Sequence, residues 1–166
     1  MIEVGGEKYY PIQPEEIVVG RVVFFQPWEM WPQGAQASVA GPFPGIQKQR
    51  PFLCLATAGS HSVWVGLSTS GSRGNLSIEP PSKLGGLPSW REKTSYVYMP
   101  EMLFVLTADE VRRATSLDLS HPSFRNSVAG NRIKLILGAV GAKKGSWKSG
   151  FKACLTNRGF KYEEWK

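Results

Sequence analysis

Cysteine and histidine are nearly absent: 166 residues hold two of each, Cys54, Cys154, His61 and His121. No C-x-x-C or H-E-x-x-H spacing can be assembled from them, which removes the common zinc signatures. Carboxylate-held magnesium stays open, but the expectation is chemistry without a metal or other cofactor. A disulfide framework is disfavoured as well, and Cys54, inside an apolar run, reads as a small hydrophobe. Long hydrophobic runs are also missing. Ile17–Val19 and Val22–Phe25 fall far short of the ~20 residues that a membrane-spanning helix needs. The start, Met1-Ile2-Glu3-Val4-Gly5-Gly6-Glu7, has neither the cationic beginning nor the apolar middle of a secretory signal. These absences lead to the expectation of a cytoplasmic protein with no membrane segment.

Acidic residues are the other scarcity. Thirteen Asp and Glu stand against 20 Lys and Arg, a formal net charge of +7. From Arg132 to Lys166 there are nine Lys or Arg and two acids, Glu163 and Glu164. A polyanion suits such a surface, while scattered lysines can equally keep a small domain soluble. The length fits one domain with a real core.

Proline and glycine punctuate the first half. Ile17–Phe25 is rich in β-branched and aromatic residues and reads as a strand closed by Pro27. The stretch from Gln26 to Gln49 holds too many breakers for a regular element. Its rings, Trp28, Trp31 and Phe43, either stack on bases or pack down as a lid. Phe52–Ala56 and Ser62–Leu67 form an expected hairpin across Ala58-Gly59-Ser60-His61. Leu76–Glu79, Thr94–Met99 and Met102–Leu106 read as further short strands. Thr107 caps a helix start, with Glu110 completing a capping box. Ser127–Gly138 leans towards helix. In the tail, Trp147, Phe151, Phe160, Tyr162 and Trp165 alternate with lysines; either the rings stack on a single strand of nucleic acid or they cover the core. The fold class expected is mainly β (α+β): a small barrel of five to six strands with short helices and a basic C-terminal extension. The expected division is a barrel over residues 1–120 and an extension packed on it over 121–166.

The most informative pair of segments is Gln47-Lys48-Gln49-Arg50-Pro51-Phe52-Leu53-Cys54-Leu55 and Gly66-Leu67-Ser68-Thr69-Ser70. The first puts a guanidinium at the mouth of one strand, and the second puts hydroxyls at the far end of its hairpin partner. Arginine offers a planar fork matched to phosphate oxygens, and hydroxyls add donors that rotate. His61 lies in the hairpin turn, expected at the opposite end from Ser68, and His121-Pro122 reads as a turn. Gly66–Ser70 lacks the last glycine of a nucleophile elbow, and Gly141–Ser146 does not match a phosphate loop.

Together with Gly20-Arg21-Val22-Val23 and the run from Tyr96 to Val111, these segments resemble the PemK/MazF family of small bacterial toxins, which have an SH3-like barrel. The resemblance covers about residues 17–115. It departs from the family pattern at Arg21, Gly66 and Ser68 and in the length of the first loop. The resemblance implies metal-independent cleavage of single-stranded RNA by attack of a ribose 2′-hydroxyl. Arg50, Ser68 and Thr69 would be catalytic, with Arg50 stabilising the phosphate electrostatically. Gln47, Lys48, Ser70, Arg73, Lys143, Lys144 and Lys148 are the candidate nucleic-acid contacts. A homodimer and an acidic antitoxin protein are the implied partners. The alternative is a non-catalytic nucleic-acid-binding or protein-inhibiting module of a mobile element on the same barrel.

Overall fold

The computed structural model describes residues 1–26, 36–41, 49–71 and 76–166. Strands β1 (Ile2–Val4) and β2 (Glu7–Tyr9) make a separate hairpin. The main sheet contains β3 (Arg21–Phe25), β4 (Gln36–Ala37), β5 (Arg50–Ala58), β6 (His61–Ser68), β7 (Ser77–Ile78), β8 (Lys83–Gly85), β9 (Ser95–Thr107) and β10 (Asn126–Val128). Its order is β4-β9-β6-β5-β3-β10-β8, with β7 also on β9, and every pairing is antiparallel. Among the described residues there are four α-helices: α1 (Pro88–Arg91), α2 (Ala108–Ala114), α3 (Gly130–Gly141) and α4 (Ser149–Asn157).

The class is therefore α+β and mostly β, as the composition of the runs implied. Two details differ from expectation. The sheet has eight strands among the described residues, more than five or six: β7 falls in the expected Leu76–Glu79 strand and two expected strands merge into β9, but β4, β8 and β10 are two- or three-residue strands with no run of their own in the sequence. No pairing among the described residues joins β4 to β8, so hydrogen bonding leaves the sheet an open path.

Strict alternation along the central strands produces two cores, one on each face. Val22, Leu53, Leu55, Val63, Val65, Leu103 and Val105 face one way, where Ile133, Ile136 and Val140 of α3 and Phe151 and Leu155 of α4 cover them. Val23, Phe25, Phe52, Cys54, Trp64, Phe104 and Leu106 face the other, under Ile12 and the α2 residues Val111 and Ala114. Burial on both faces is why β6 is apolar almost throughout. In the second core the Phe25 ring lies 4.8 Å from both Phe52 and Trp64, and such ring pairs add about 0.5–1.5 kcal/mol each beyond area burial. Both cysteines are free thiols, and burial pushes Cys54 up to about 12.

The hairpin β5–β6 forms as read, slightly longer at each end. The first strand does not begin at Ile17. Gly20 stands at φ +94°, a conformation that stops an extended strand for any other residue, and a Cβ there would sit 2.8 Å from the Val128 carbonyl. Thr94–Met99 and Met102–Leu106 are one bulged strand, β9. Val65 pairs with Leu103 and the next residue, Gly66, with Tyr98, so Met99 to Met102 have no partner on β6. The capping box at Thr107 and Glu110 forms in both directions, with donor–acceptor distances of 3.2 and 2.8 Å. The Ser127–Gly138 stretch splits: its beginning joins β10, between β3 and β8, and α3 starts only at Gly130. Residues 126–128 of the expected extension thus belong to the sheet.

Of the two readings of the tail, the covering one holds. Trp147, Phe151, Phe160 and Trp165 are buried in the first core, so their rings do not stack on bases. Glycines on α3 admit the C-terminal segment: a Cβ on Gly141 would collide with the carbonyl of Trp165, and one on Gly138 with that of Lys166. Gly141→Ala is expected to destabilise the protein by about 1–3 kcal/mol through overpacking. Urea unfolding checks this, and a wild-type midpoint would mean that the segment does not seat on α3.

Candidate functional site

The register of the four central strands assembles one end of the sheet. Phe25 pairs with Arg50, Phe52 with Gly66, Gly66 with Tyr98, and Ser68 with Tyr96. Arg50, at the start of β5, shares the second face with Phe52 and Tyr98. Its Nη1 donates to the Leu67 carbonyl at 3.1 Å, and its guanidinium carbon lies 4.0 Å from the centre of the Tyr98 ring. Gly66 leaves the slot in which this side chain lies, since a Cβ there would meet Arg50 Cδ at 3.4 Å and the Phe52 and Tyr98 rings at 3.7 Å. Arginine is therefore aimed by a ring, a carbonyl and the absence of a side chain.

Arg50 bonds the residue immediately before Ser68, where β6 ends. Ser68 Oγ accepts from the Ser70 amide at 3.0 Å, a local turn that leaves the hydroxyl proton available to donate. Thr69 and Ser70 follow, exposed. The structure thus brings Arg50, Ser68, Thr69 and Ser70 to one sheet end. A cation held beside rotatable hydroxyls can bind a phosphate or stabilise charge growing on its oxygens.

The other candidates fall elsewhere. Gln47, Lys48 and Arg73 lie outside the described residues, as do Trp28, Trp31 and Phe43. Lys143 and Lys148 are exposed and Lys144 half-buried in the connection between α3 and α4, a layer over the first core, whereas Arg50 belongs with the second. His61 is at the hairpin turn, its Nδ1 3.0 Å from Ser60 Oγ, at the opposite end of β6 from Ser68, as expected. Burial holds its imidazole below the ordinary value, Arg158 adds to this, and Glu110 opposes it. His121 caps the turn at Pro122–Phe124, its Nδ1 accepting from the Ser123 amide at 3.1 Å. Among the described residues no group of three His, Cys, Asp or Glu could hold a metal ion. No helix among them is long and apolar enough to cross a membrane.

Several structural groups gave no signal in the sequence. Tyr98 is one: it looked like strand filling and is the platform under Arg50. Two buried cations are the others. Lys83 is 5% exposed, donates to the Trp90 carbonyl at 2.9 Å and to Ser95 Oγ at 2.8 Å, and lies 3.9 Å over the Trp90 ring. Burial pushes its ammonium down to about 8, against the pull of Glu79. Arg125 is 4% exposed and binds Glu16 at 2.7 Å and the carbonyls of Ser120 and Tyr10 at 2.8 and 2.9 Å. Neither residue falls in a recognisable spacing: the Lys83 partners follow seven and twelve residues on in no motif, and Glu16 and Tyr10 come to Arg125 from the far N-terminal segment.

Comparison of the chain with protein-family models, curated proteins and solved structures gave no match. What defines the site is its own chemistry: an aimed arginine and a hydroxyl cluster on a mostly β, antiparallel α+β scaffold.

Proposed function

We propose that this chain is a metal-independent endoribonuclease of the toxin type, cleaving single-stranded RNA in the cytoplasm on an SH3-like barrel. The arrangement that supports it is Arg50 on the Tyr98 ring, bonded to the strand end that carries Ser68 and Thr69. In this reading a ribose 2′-oxygen attacks the adjacent phosphorus and its proton passes to solvent. The bond from phosphorus to the 5′-oxygen breaks, that oxygen is protonated, and a 2′,3′-cyclic phosphate remains. Arg50 neutralises the phosphate, and the Ser68 and Thr69 hydroxyls donate to its oxygens as they gain charge. Ser70, Gln47, Lys48 and Arg73 serve the flanking phosphates. Partners of the same reading are a second copy of the chain and an acidic antitoxin protein.

The test is incubation of the purified protein with a long single-stranded RNA in excess chelator. Discrete new ends bearing cyclic phosphate are expected; intact RNA overturns the nuclease reading.

One observation favours the second reading, a non-catalytic nucleic-acid-binding module. Residues 132–166 hold nine basic and two acidic residues, while the rest of the chain holds eleven of each, so the whole net charge sits in the α3–α4 layer and the C-terminal segment. Under it, replacing Lys143, Lys144 and Lys148 by Glu weakens RNA binding and flattens its salt dependence, as fewer counterions are released. Filter binding across a salt series reads this, and an unchanged slope removes these lysines from the interface.

A further inference from the structure

A cavity of about 420 Å³ opens on the protein surface away from the Arg50 contacts, between β3, β10, α1 and the segment from Leu119 to Phe124. Its volume is within the range of small-molecule sites. Phe24, Trp90, His121 and Phe124 supply rings to its lining, Leu87 and Leu119 aliphatic surface, and Asn126 an amide. Four of these residues, Phe24, Leu87, Leu119 and Phe124, are large hydrophobics left exposed to solvent. Apolar exposure gathered into a concavity marks a binding surface more strongly than the same residues scattered singly.

The walls are fixed from behind. Lys83 holds α1 by the Trp90 carbonyl and lies against the Trp90 ring, whose Nε1 donates to the Leu84 carbonyl at 3.3 Å. Arg125 holds the opposite wall by the Ser120 carbonyl, while Asp118 receives the Ser120 amide at 2.7 Å. The two buried cations among the described residues, Lys83 and Arg125, thus secure the same cavity. Burying charge is expensive, and one documented reason for a fold to keep it is fixed geometry. Among the described residues no Lys, Arg, Asp or Glu lines the cavity, which suits an uncharged group.

Polar groups give that ligand a direction. His121 Nδ1 accepts from the Ser123 amide, so the neutral ring carries its proton on Nε2 and offers a donor. Among the described residues none hydrogen-bonds the Asn126 side-chain amide, which can donate and accept side by side. Several rings, an imidazole donor and a carboxamide match the planar face and Watson–Crick or Hoogsteen edge of a nucleobase.

We propose that this cavity binds one unpaired nucleobase. The inference rests on the single-stranded RNA reading; Phe24, on the cavity wall, pairs with Pro51, the residue after Arg50, and alternation along the strands sends it to the face opposite Arg50.

Amide NMR of the intact protein tests it, with Trp90 Nε1–H and the Asn126 side-chain amide as reporters. The probes are nucleoside 5′-monophosphates, a short single-stranded oligoribonucleotide, and the same oligonucleotide with abasic positions. Shifts of both reporters with the intact oligonucleotide, lost with the abasic one, are expected. Monophosphates that shift them as strongly identify a free nucleotide as the source, and weaker shifts identify the strand; both support the base site. Phe124→Ala, an exposed change, should weaken binding about tenfold, the loss of one stacking ring. Leu119→Ser is a second such variant should Phe124→Ala not fold. Reporters unmoved by any nucleotide, or moved only by an aromatic peptide, overturn the proposal. If cutting persists while the reporters stay still, the base site fails and the nuclease stands; reporter shifts without cutting give the reverse.

Discussion

Arg125→Ala is expected to lower stability by about 3–5 kcal/mol, the range for removing one partner of a buried ion pair. The guanidinium side chain is 1% exposed; it lies 2.7 Å from Glu16 and 3.7 Å from Asp118 and also satisfies two carbonyls. Its loss strands two carboxylates, and Asp118 Oδ2 already lacks a hydrogen-bond partner among the described residues. The pH dependence carries the diagnosis. Burial alone would raise the Glu16 carboxyl, but Arg125, the Gln13 amide and Arg21 hold it below its ordinary 4.5. Its contribution is therefore present above 4.5 and lost as pH falls through the lower native value. Burial holds Asp118 above its ordinary 3.8, against Ser120 and Arg125, so its contribution has the opposite sign and fades as pH rises. These two slopes offset in the native protein. Without Arg125 both native values move up, and the deficit is full at neutral pH and narrows on acidification as the carboxyls protonate. Urea unfolding of both proteins at pH 7 and near 4.5 reads this; an equal deficit at both refutes the ion-pair account.

The same network explains what the sequence could and could not convey. The β5–β6 hairpin was legible because its two strands are neighbours in the chain and both faces are apolar. The α2 start was legible because a capping box is a four-residue signal, Thr107 to Glu110. Arg50 and Ser68 were legible as a pair because hairpin register alone puts them at one end. By contrast, β8 and β10 pair across some forty residues, each with three residues of unremarkable composition. Arg125 meets Glu16 across 109 positions. No local pattern announces such a contact, since it is decided by how the N-terminal segment and the turn at Pro122–Phe124 pack together. The cavity behind the second proposal is invisible for the same reason: its walls come from β3, α1, the segment from Leu119 to Phe124, and β10. The tail misleads in another way, because lysines alternating with rings describe a nucleic-acid-binding strand and a docked amphipathic segment equally well. Gly138 and Gly141 decide it, by letting the C-terminal segment lie against α3.

Arg50→Ala should separate activity from folding more sharply than any other single change. The side chain is half-buried, donates to the Leu67 carbonyl and lies over the Tyr98 ring. Losing these contacts is expected to lower stability by about 1–2 kcal/mol, from a net hydrogen bond of about 1 kcal/mol and a partly exposed cation–π contact of similar size. Losing a preorganised donor aimed at a developing oxyanion is worth about 10²–10³ in rate. RNA cleavage should therefore fall at least a hundredfold in a protein that still melts cooperatively. Arg50→Lys refines the test: it restores the charge and part of the Tyr98 contact but not the planar fork, so phosphate binding should recover further than the cleavage rate. Single-turnover cleavage beside thermal melts of the three proteins measures both quantities. Cleavage at the wild-type rate in Arg50→Ala would take the chemistry away from this end of the sheet, whatever the Lys variant did.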